Sequence, residues 1–275
     1  PAVAAVAPPA VSPLPGIIDP VMPAPRRVRL AAVPQIQRKV AVLIGNDRYA
    51  DARIPALDNA ANDARAVAAT LATTLGYETL VLENATRAQI LATLNKLALQ
   101  LEPQDSVVIY YAGHGEVVDA TGQGYWQPSD ALADRPETWL SNQDIGRLLR
   151  QFRAQQVALI SDSCFSGALL GDERIRGISP TGDPTPLLQR RAAVVMTSGG
   201  NEPVFDAGRN GHSPFAWNLM RAVERVPDWR PGSNVFEAVR FAVARELPQR
   251  PQYGASRLGG HEAGADYVFE QRRLE

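Results

Sequence analysis

Cysteine is almost missing from this chain: Cys164 is the single one among 275 residues. An internal disulfide is thereby excluded, and the redox compartment stays open between cytoplasm and periplasm or exterior. An excess of one charge is missing too, since 28 Lys and Arg face 29 Asp and Glu for a net charge of −1. That balance gives no footprint for nucleic acid or an anionic membrane. No apolar run approaches the roughly 18–20 residues a membrane span needs, and internal repeats are absent. The sequence opens at Pro1 without a methionine, which predicts a trimmed chain, and neither end enters the fold expectation. What is present, 45% hydrophobic and 21% charged residues, is enough for one large α/β domain with an appendage.

Residues 1–38 form a proline-rich amino-terminal arm, holding nine of the 22 prolines. Such a composition favours extended backbone and builds no core of its own. The arm carries Arg26, Arg27, Arg29 and Arg38 against Asp19, a surplus of three positive charges that leaves the rest at −4. From Lys39 onward, apolar runs alternate with helical patterns. Strands are predicted at 40–44, 79–82, 106–111, 157–160 and 192–196, and 267–269 reads as an edge strand. Helices fall between them. One follows an Asp58 cap and stops at Gly76. A second opens with the capping box Thr86-x-x-Gln89, a third with Ser141, a fourth with Ser213-Pro214 and a fifth with Asn234. Residues 121–124 have turn chemistry, and 171–191 read as a flexible loop. The alternation implies an α/β fold with a mostly parallel sheet of about six strands and helices on both faces.

In such a sheet, functional groups gather beyond the carboxyl ends of the strands. Three of those ends carry unusual residues: Gly45-Asn-Asp-Arg, Ala112-Gly-His-Gly115 and Asp162-Ser-Cys-Phe-Ser-Gly167. A lone cysteine is commonly an inert core thiol, but Asp and Ser are poor neighbours for core filler. His114, set between two glycines, is a poor structural histidine. A neutral imidazole beside a thiol takes its proton and leaves a nucleophilic thiolate. The backbone amides of Gly115 and Cys164 are the candidates for holding the developing oxyanion.

Tyr110-Tyr-Ala-Gly-His-Gly115 with Asp162-Ser-Cys-Phe-Ser-Gly167 resembles the catalytic pair of the metacaspases and bacterial caspase-like peptidases, with the histidine fifty positions before the cysteine. The resemblance runs from about Lys39 to Phe269. It implies a caspase-like three-layer sandwich with a large-subunit-like part at 39–170, a linker at 171–191 and a small-subunit-like part at 192–275. It implies a cysteine endopeptidase in which His114 serves Cys164. Caspases proper have glutamine where Asp162 stands, and the family's Asn-Asp pair on the first helix matches Asn62-Asp63. Asp63 and Asp162 then form a P1 pocket that suits Arg ahead of Lys, because a guanidinium offers paired donors to carboxylates. Ala60 and Ala112 stand where the family often has Cys and Ser, making the pocket less polar. Asp130 and Asp172 are two carboxylates for calcium, an ion wanting roughly six to eight oxygens, so no metal is assigned and no cofactor is required. By resemblance the enzyme is a monomer acting on protein or peptide substrates. A catalytically silent interaction module is one alternative, although neither His114 nor Cys164 is lost. A protease with another P1 preference is the other; an aspartate-specific one would need arginines at 63 and 162.

Two further expectations concern the flanking segments. The 171–191 loop, with Arg174, Arg176, Arg190 and Arg191, is expected to be a self-cleavage site. Residues 20–36 either cross the catalytic face, bringing Arg26, Arg27 or Arg29 towards Asp63 and Asp162, or brace the back of the sheet.

Overall fold

The computed structural model describes residues 21–118, 121–163, 169–170, 175, 182–199, 208, 210–256 and 258–274. Its centre is a six-stranded sheet built from β2 (Lys39–Gly45), β3 (Glu78–Glu83), β4 (Ser106–Ala112), β8 (Gln156–Asp162), β9 (Ala192–Thr197) and β11 (Gln252–Ala255). The spatial order is β11-β9-β8-β4-β2-β3. Every pairing is parallel except β11 with β9. Between these strands lie α1 (Ala60–Leu75), α2 (Arg87–Gln100), α3 (Asn142–Gln151), the short α4 (Thr185–Leu188), α5 (Pro214–Glu224) and α6 (Gly232–Glu246).

The period-two geometry of a strand divides each one between two cores. Ala41, Leu43, Val108, Tyr110, Ala158, Ile160, Val194 and Met196 face α1, α5 and α6. Val40, Val42, Ile44, Val107, Ile109, Tyr111, Val157 and Leu159 face α2 and α3. Each large apolar side chain so buried contributes roughly 1.5–3 kcal/mol, which is why the continuous apolar runs become central strands. Gly45 ends β2 where α1 presses closest: a Cβ there would stand 2.5 Å from the Ala60 carbonyl oxygen.

Local signals largely set the helix ends. Thr86 and Gln89 form the expected capping box, and Ser141 and Ser213 each accept an amide of their own helix. Gly76 ends α1 at φ 71°, a left-handed conformation that suits glycine. Four details differ from the sequence reading. Asn59, not Asp58, occupies the start of α1, without a side-chain cap. Asn234 lies inside α6, whose cap position is Pro231. Residues 185–188 of the expected 171–191 loop form α4, whereas the turn chemistry at 121–124 is met by a hairpin between β5 (Gly115–Val118) and β6 (Gln123–Trp126), which is extended by β7 (Leu140–Ser141). The 267–269 segment gives β12 (Val268–Glu270), which pairs with β10 (Trp229–Pro231) rather than edging the main sheet; β11 holds that edge.

The arm enters the fold at the amino-terminal ends of the strands. Its β1 (Val28–Ala31) pairs antiparallel with β13 (Arg272–Leu274), and Gln37 donates its amide to Gln104, just ahead of β4. Val33 and Ile36 pack with Val268. A seven-residue strand such as β4 spans about 20 Å, so this contact lies at the far end of the sheet from Gly45, Ala112 and Asp162. Of the two courses open to this stretch, the one that would bring Arg26, Arg27 or Arg29 across the catalytic face is not taken, because pairing of β1 with β13 holds it below the strand starts. Leu274, given no part in the expectation, is used as the partner of Val28.

Candidate active site

β4 and β8 run side by side with Ala112 opposite Asp162, and the Gly113 amide donates to the Asp162 carbonyl at 3.4 Å. His114 follows at once, half-buried. Its main chain is tied on both sides. The His114 N–H donates to Tyr49 Oη at 2.9 Å, and Tyr111 Oη donates to the His114 carbonyl at 2.8 Å. The imidazole Nε2 lies 2.9 Å from the Pro55 carbonyl oxygen. A carbonyl only accepts, so Nε2 carries the proton and a neutral ring keeps its lone pair on Nδ1.

Gly115, the first residue of β5, is buried. The Gln127 amide donates to His114 O at 3.0 Å, which makes His114–Gln127 the hydrogen-bonded pair of this ladder. The next pair, Gly115–Trp126, is then a non-hydrogen-bonded one, and the Gly115 N–H points away from β6.

Cys164 lies outside the described residues, as does Asp172; the approach to the cysteine is described as far as Ser163. Tyr111 stacks on Trp126 at 4.2 Å between centroids. Trp126 Nε1 donates to Ser161 Oγ at 3.1 Å, and Ser161 Oγ lies 2.9 Å from Ser163 Oγ. A buried chain of contacts therefore joins the strand end that carries His114 to the residue immediately before Cys164.

Asp63 and Asp162 come together on the α1–α5 side. Neither is a solvated surface carboxylate, at 1% and 7% exposure. Ser213 joins them: its amide donates to Asp63 Oδ2 at 3.1 Å and its hydroxyl to Asp162 Oδ2 at 2.5 Å. The same hydroxyl accepts the Ala216 amide as the cap of α5. His212 Nδ1 stands 2.7 Å from Asp63 Oδ1, and because a carboxylate only accepts, that nitrogen bears the proton. Burial pushes the His212 imidazole below its ordinary value, in keeping with a neutral donor.

Asp130 accepts the Arg87 amide at 2.8 Å at the start of α2. No group of three or more His, Cys, Asp or Glu among the described residues is arranged to hold a metal ion. Among the described residues no helix is long and apolar enough to cross a membrane.

Sequence reasoning missed Tyr49, Pro55, His212 and the double use of Ser213. A signal existed for two of them. Tyr49 directly follows the unusual strand-end run Gly45-Asn-Asp-Arg, and His212 is one of three histidines in the chain, placed next to a cap that was legible. Pro55 acts through its carbonyl, which no side-chain pattern reveals.

Among solved structures, the chain resembles caspase-1 of Spodoptera frugiperda with a TM-score of 0.63 at 14% identity, covering 87% of this chain and 92% of that one. It also resembles a Geobacter sulfurreducens protein with a TM-score of 0.56 at 18% identity, covering 84% and 100%. Both likenesses speak for the fold. No curated protein sequence matches the chain. The caspase domain family model matches residues 38–260, and with four-fifths of its length so matched, the chain belongs to the caspase domain family of peptidases.

Proposed function

We propose that this protein is a metacaspase-like cysteine endopeptidase that cuts after Arg, and less readily after Lys, with Cys164 as nucleophile and His114 as acid–base partner. The observation that carries the proposal is the register of Ala112 opposite Asp162. Ala112 and Asp162 end neighbouring strands at the same level, and in the sequence His114 follows two residues after the one and Cys164 two residues after the other.

The chemistry follows from the orientation of His114. With Nε2–H on the Pro55 carbonyl, Nδ1 accepts the thiol proton. The thiolate attacks the scissile carbonyl, and the oxygen that gains charge is met by the amides of Gly115 and Cys164. The protonated imidazole then gives its proton to the leaving amine, which departs and leaves an acyl-thioester. Water, losing a proton to the same imidazole, attacks the thioester; the carbon–sulfur bond breaks, the acid product leaves and the Cys164 sulfur takes the proton back. This chemistry requires no metal or cofactor.

Asp63 and Asp162 supply the basic P1 preference. A carboxylate has about four acceptor positions, so one oxygen can receive guanidinium N–H groups beside other donors. Two buried carboxylates held by one residue concentrate negative charge in a small volume. Processing within 171–191 and action as a monomer on protein or peptide substrates complete the proposal.

A positional peptide library, run beside labelling with a peptidyl-arginine electrophile, tests it. Cleavage after Arg with labelling of Cys164 is expected. Absence of both identifies a catalytically silent module, and cleavage after Asp removes Asp63 and Asp162 from the pocket.

A further inference from the structure

The glycine before His114 makes room for oxygen atoms. A Cβ at Gly113 would stand 2.7 Å from Tyr111 Oη and 3.2 Å from Tyr49 Oη. Those two phenols use the space to reach the main chain of His114 from opposite sides. Tyr49 Oη accepts the His114 amide and donates onward to the Asn46 carbonyl at 3.0 Å. Tyr111 Oη shares its proton between the carbonyls of His114 and Gln127, at 2.8 and 3.0 Å. Burial, aided by the neighbouring Tyr49, holds Tyr111 well above the ordinary phenol value, so it remains a donor.

Tyr49 differs from Tyr111 in place and in reach. Tyr111 is a fully buried strand residue, whereas Tyr49 is half-buried on the loop between β2 and α1. Its ring lies against the imidazole, 5.2 Å between centroids and tilted by 47°. The same loop supplies the Pro55 carbonyl that receives Nε2–H. Its outer part is pinned down: Arg53 bridges Asp51 and Asp134, and Asp51 accepts the Ala133 amide at 2.9 Å. One loop therefore touches His114 at its amide, at its ring face and at Nε2.

We propose that Tyr49 is a positioning residue for His114: its hydroxyl fixes the histidine main chain and its ring fixes the imidazole plane, so that Nδ1 is held towards the nucleophile. The inference rests on His114 being the partner of Cys164. The physical need is clear from the flanks. Glycine on both sides leaves the local backbone with more freedom than any other residue would, and a misplacement of about 1 Å costs a catalytic group on the order of a hundredfold in rate. An external tie must supply what the local sequence withholds.

The test uses Tyr49→Phe in the full chain, beside His114→Ala and Gly113→Ala. Tyr49→Phe keeps the ring and removes the hydroxyl. The expected result is a kcat lowered roughly tenfold for a small arginyl substrate, with KM and melting temperature unchanged. A second readout is independent of turnover. Cys164 is the single thiol, so the pH dependence of alkylation by iodoacetamide reports how well the imidazole stabilises its thiolate. In the wild type, reactivity is expected to persist to acidic pH. In Tyr49→Phe and Gly113→Ala it is expected to shift towards the profile of an ordinary thiol. If His114→Ala leaves hydrolysis and alkylation unchanged, the dyad itself is wrong and the inference goes with it. If His114→Ala abolishes hydrolysis and moves alkylation to the profile of an ordinary thiol but Tyr49→Phe matches the wild type, the dyad stands and the role of Tyr49 is overturned. A lower melting temperature in Tyr49→Phe with an unshifted alkylation profile overturns it as well, by showing a structural role.

Discussion

Ser213 gives its hydroxyl to Asp162 across 2.5 Å while its amide serves Asp63, so one cap residue of α5 ties two carboxylates that are 99 positions apart in sequence. If both face the P1 side chain, Asp162→Ala leaves a guanidinium badly paired in a half-dry pocket. A loss of roughly 2–4 kcal/mol of transition-state binding for arginyl peptides is expected. The measurement is kcat/KM for matched Arg and Leu substrates. An unchanged Arg-to-Leu ratio in the variant would falsify the pocket assignment.

Cys164→Ala is expected to abolish hydrolysis, and His114→Ala to lower it nearly as far, because nucleophile and base act as a unit. Single-turnover assays on the purified variants decide this. A residual rate above about a tenth of wild type in Cys164→Ala, which corresponds to less than roughly 1.4 kcal/mol of barrier, points to another nucleophile.

Arg191 is poorly suited to be a cleavage site in the folded protein. Its guanidinium donates to the carbonyls of Leu149, Phe152, Ala154 and Gly259, holding the end of α3 against the start of β9. Arg190 is engaged as well, with the Ala263 carbonyl at 2.8 Å. Among the four arginines expected to be cut, self-processing should therefore fall at Arg174 or Arg176, which lie outside the described residues. Sequencing the new amino termini of incubated enzyme tests this. A terminus at Arg191 or Ala192 would contradict it. Arg191→Ala should lower the melting temperature by several degrees, since four buried carbonyls lose their donor.

The six-stranded sheet held as expected, and the local signals held with it. Thr86 and Gln89 are three residues apart, and a capping box needs nothing else. The strand runs were legible because both faces of the central strands are buried, leaving no polar alternation to interpret. Asn234 misled because an Asn is an ordinary cap, yet Pro231, with φ −60° and ψ 145°, already opens the helix, and Ser233 spends its hydroxyl on Asp266. The tie between Tyr49 and His114 spans 65 residues, and that between Asp63 and Ser213 spans 150. Such pairs exist only once the sheet has placed their strand ends together. The course of the arm stayed open between two alternatives for a related reason: its partners, Glu270 and Arg272, lie at the opposite end of the chain.

Removal of residues 1–36 should destabilise without activating. Glu270 Oε2 accepts the amides of Ala32 and Val33, at 3.0 and 3.1 Å, and Arg272 donates to the carbonyls of Ile36 and Gln37. Both side chains are buried, so truncation opens a charged cluster to unsatisfied groups. A lower melting temperature is expected, with turnover of a small arginyl substrate no higher than in the full chain. Faster turnover at unchanged stability would restore an inhibitory role to the arm.

Lys39 gives that same cluster a pH signature. Its Nζ donates to the carbonyls of Leu75 and Glu270, at 2.8 and 2.6 Å, lies 3.6 Å from Glu270 Oε1 and sits over the Tyr77 ring. Burial, only partly offset by Glu270, lowers its pKa from 10.5 to about 7. Below pH 7 both the folded and unfolded chains hold the proton, and the group adds no slope. Between about pH 7 and 10.5 the unfolded chain binds a proton that the folded chain has released, so stability from this group rises with pH. The slope is at most about 1.4 kcal/mol per pH unit. Lys39→Met keeps the apolar stem and removes the titration, while Glu270 retains Ala32, Val33 and Arg272 as partners. Urea midpoints at pH 6.5 and 9.5 are the measurement. The wild type should gain on Lys39→Met as pH rises, and parallel curves for the two proteins would show that Lys39 stays charged when folded.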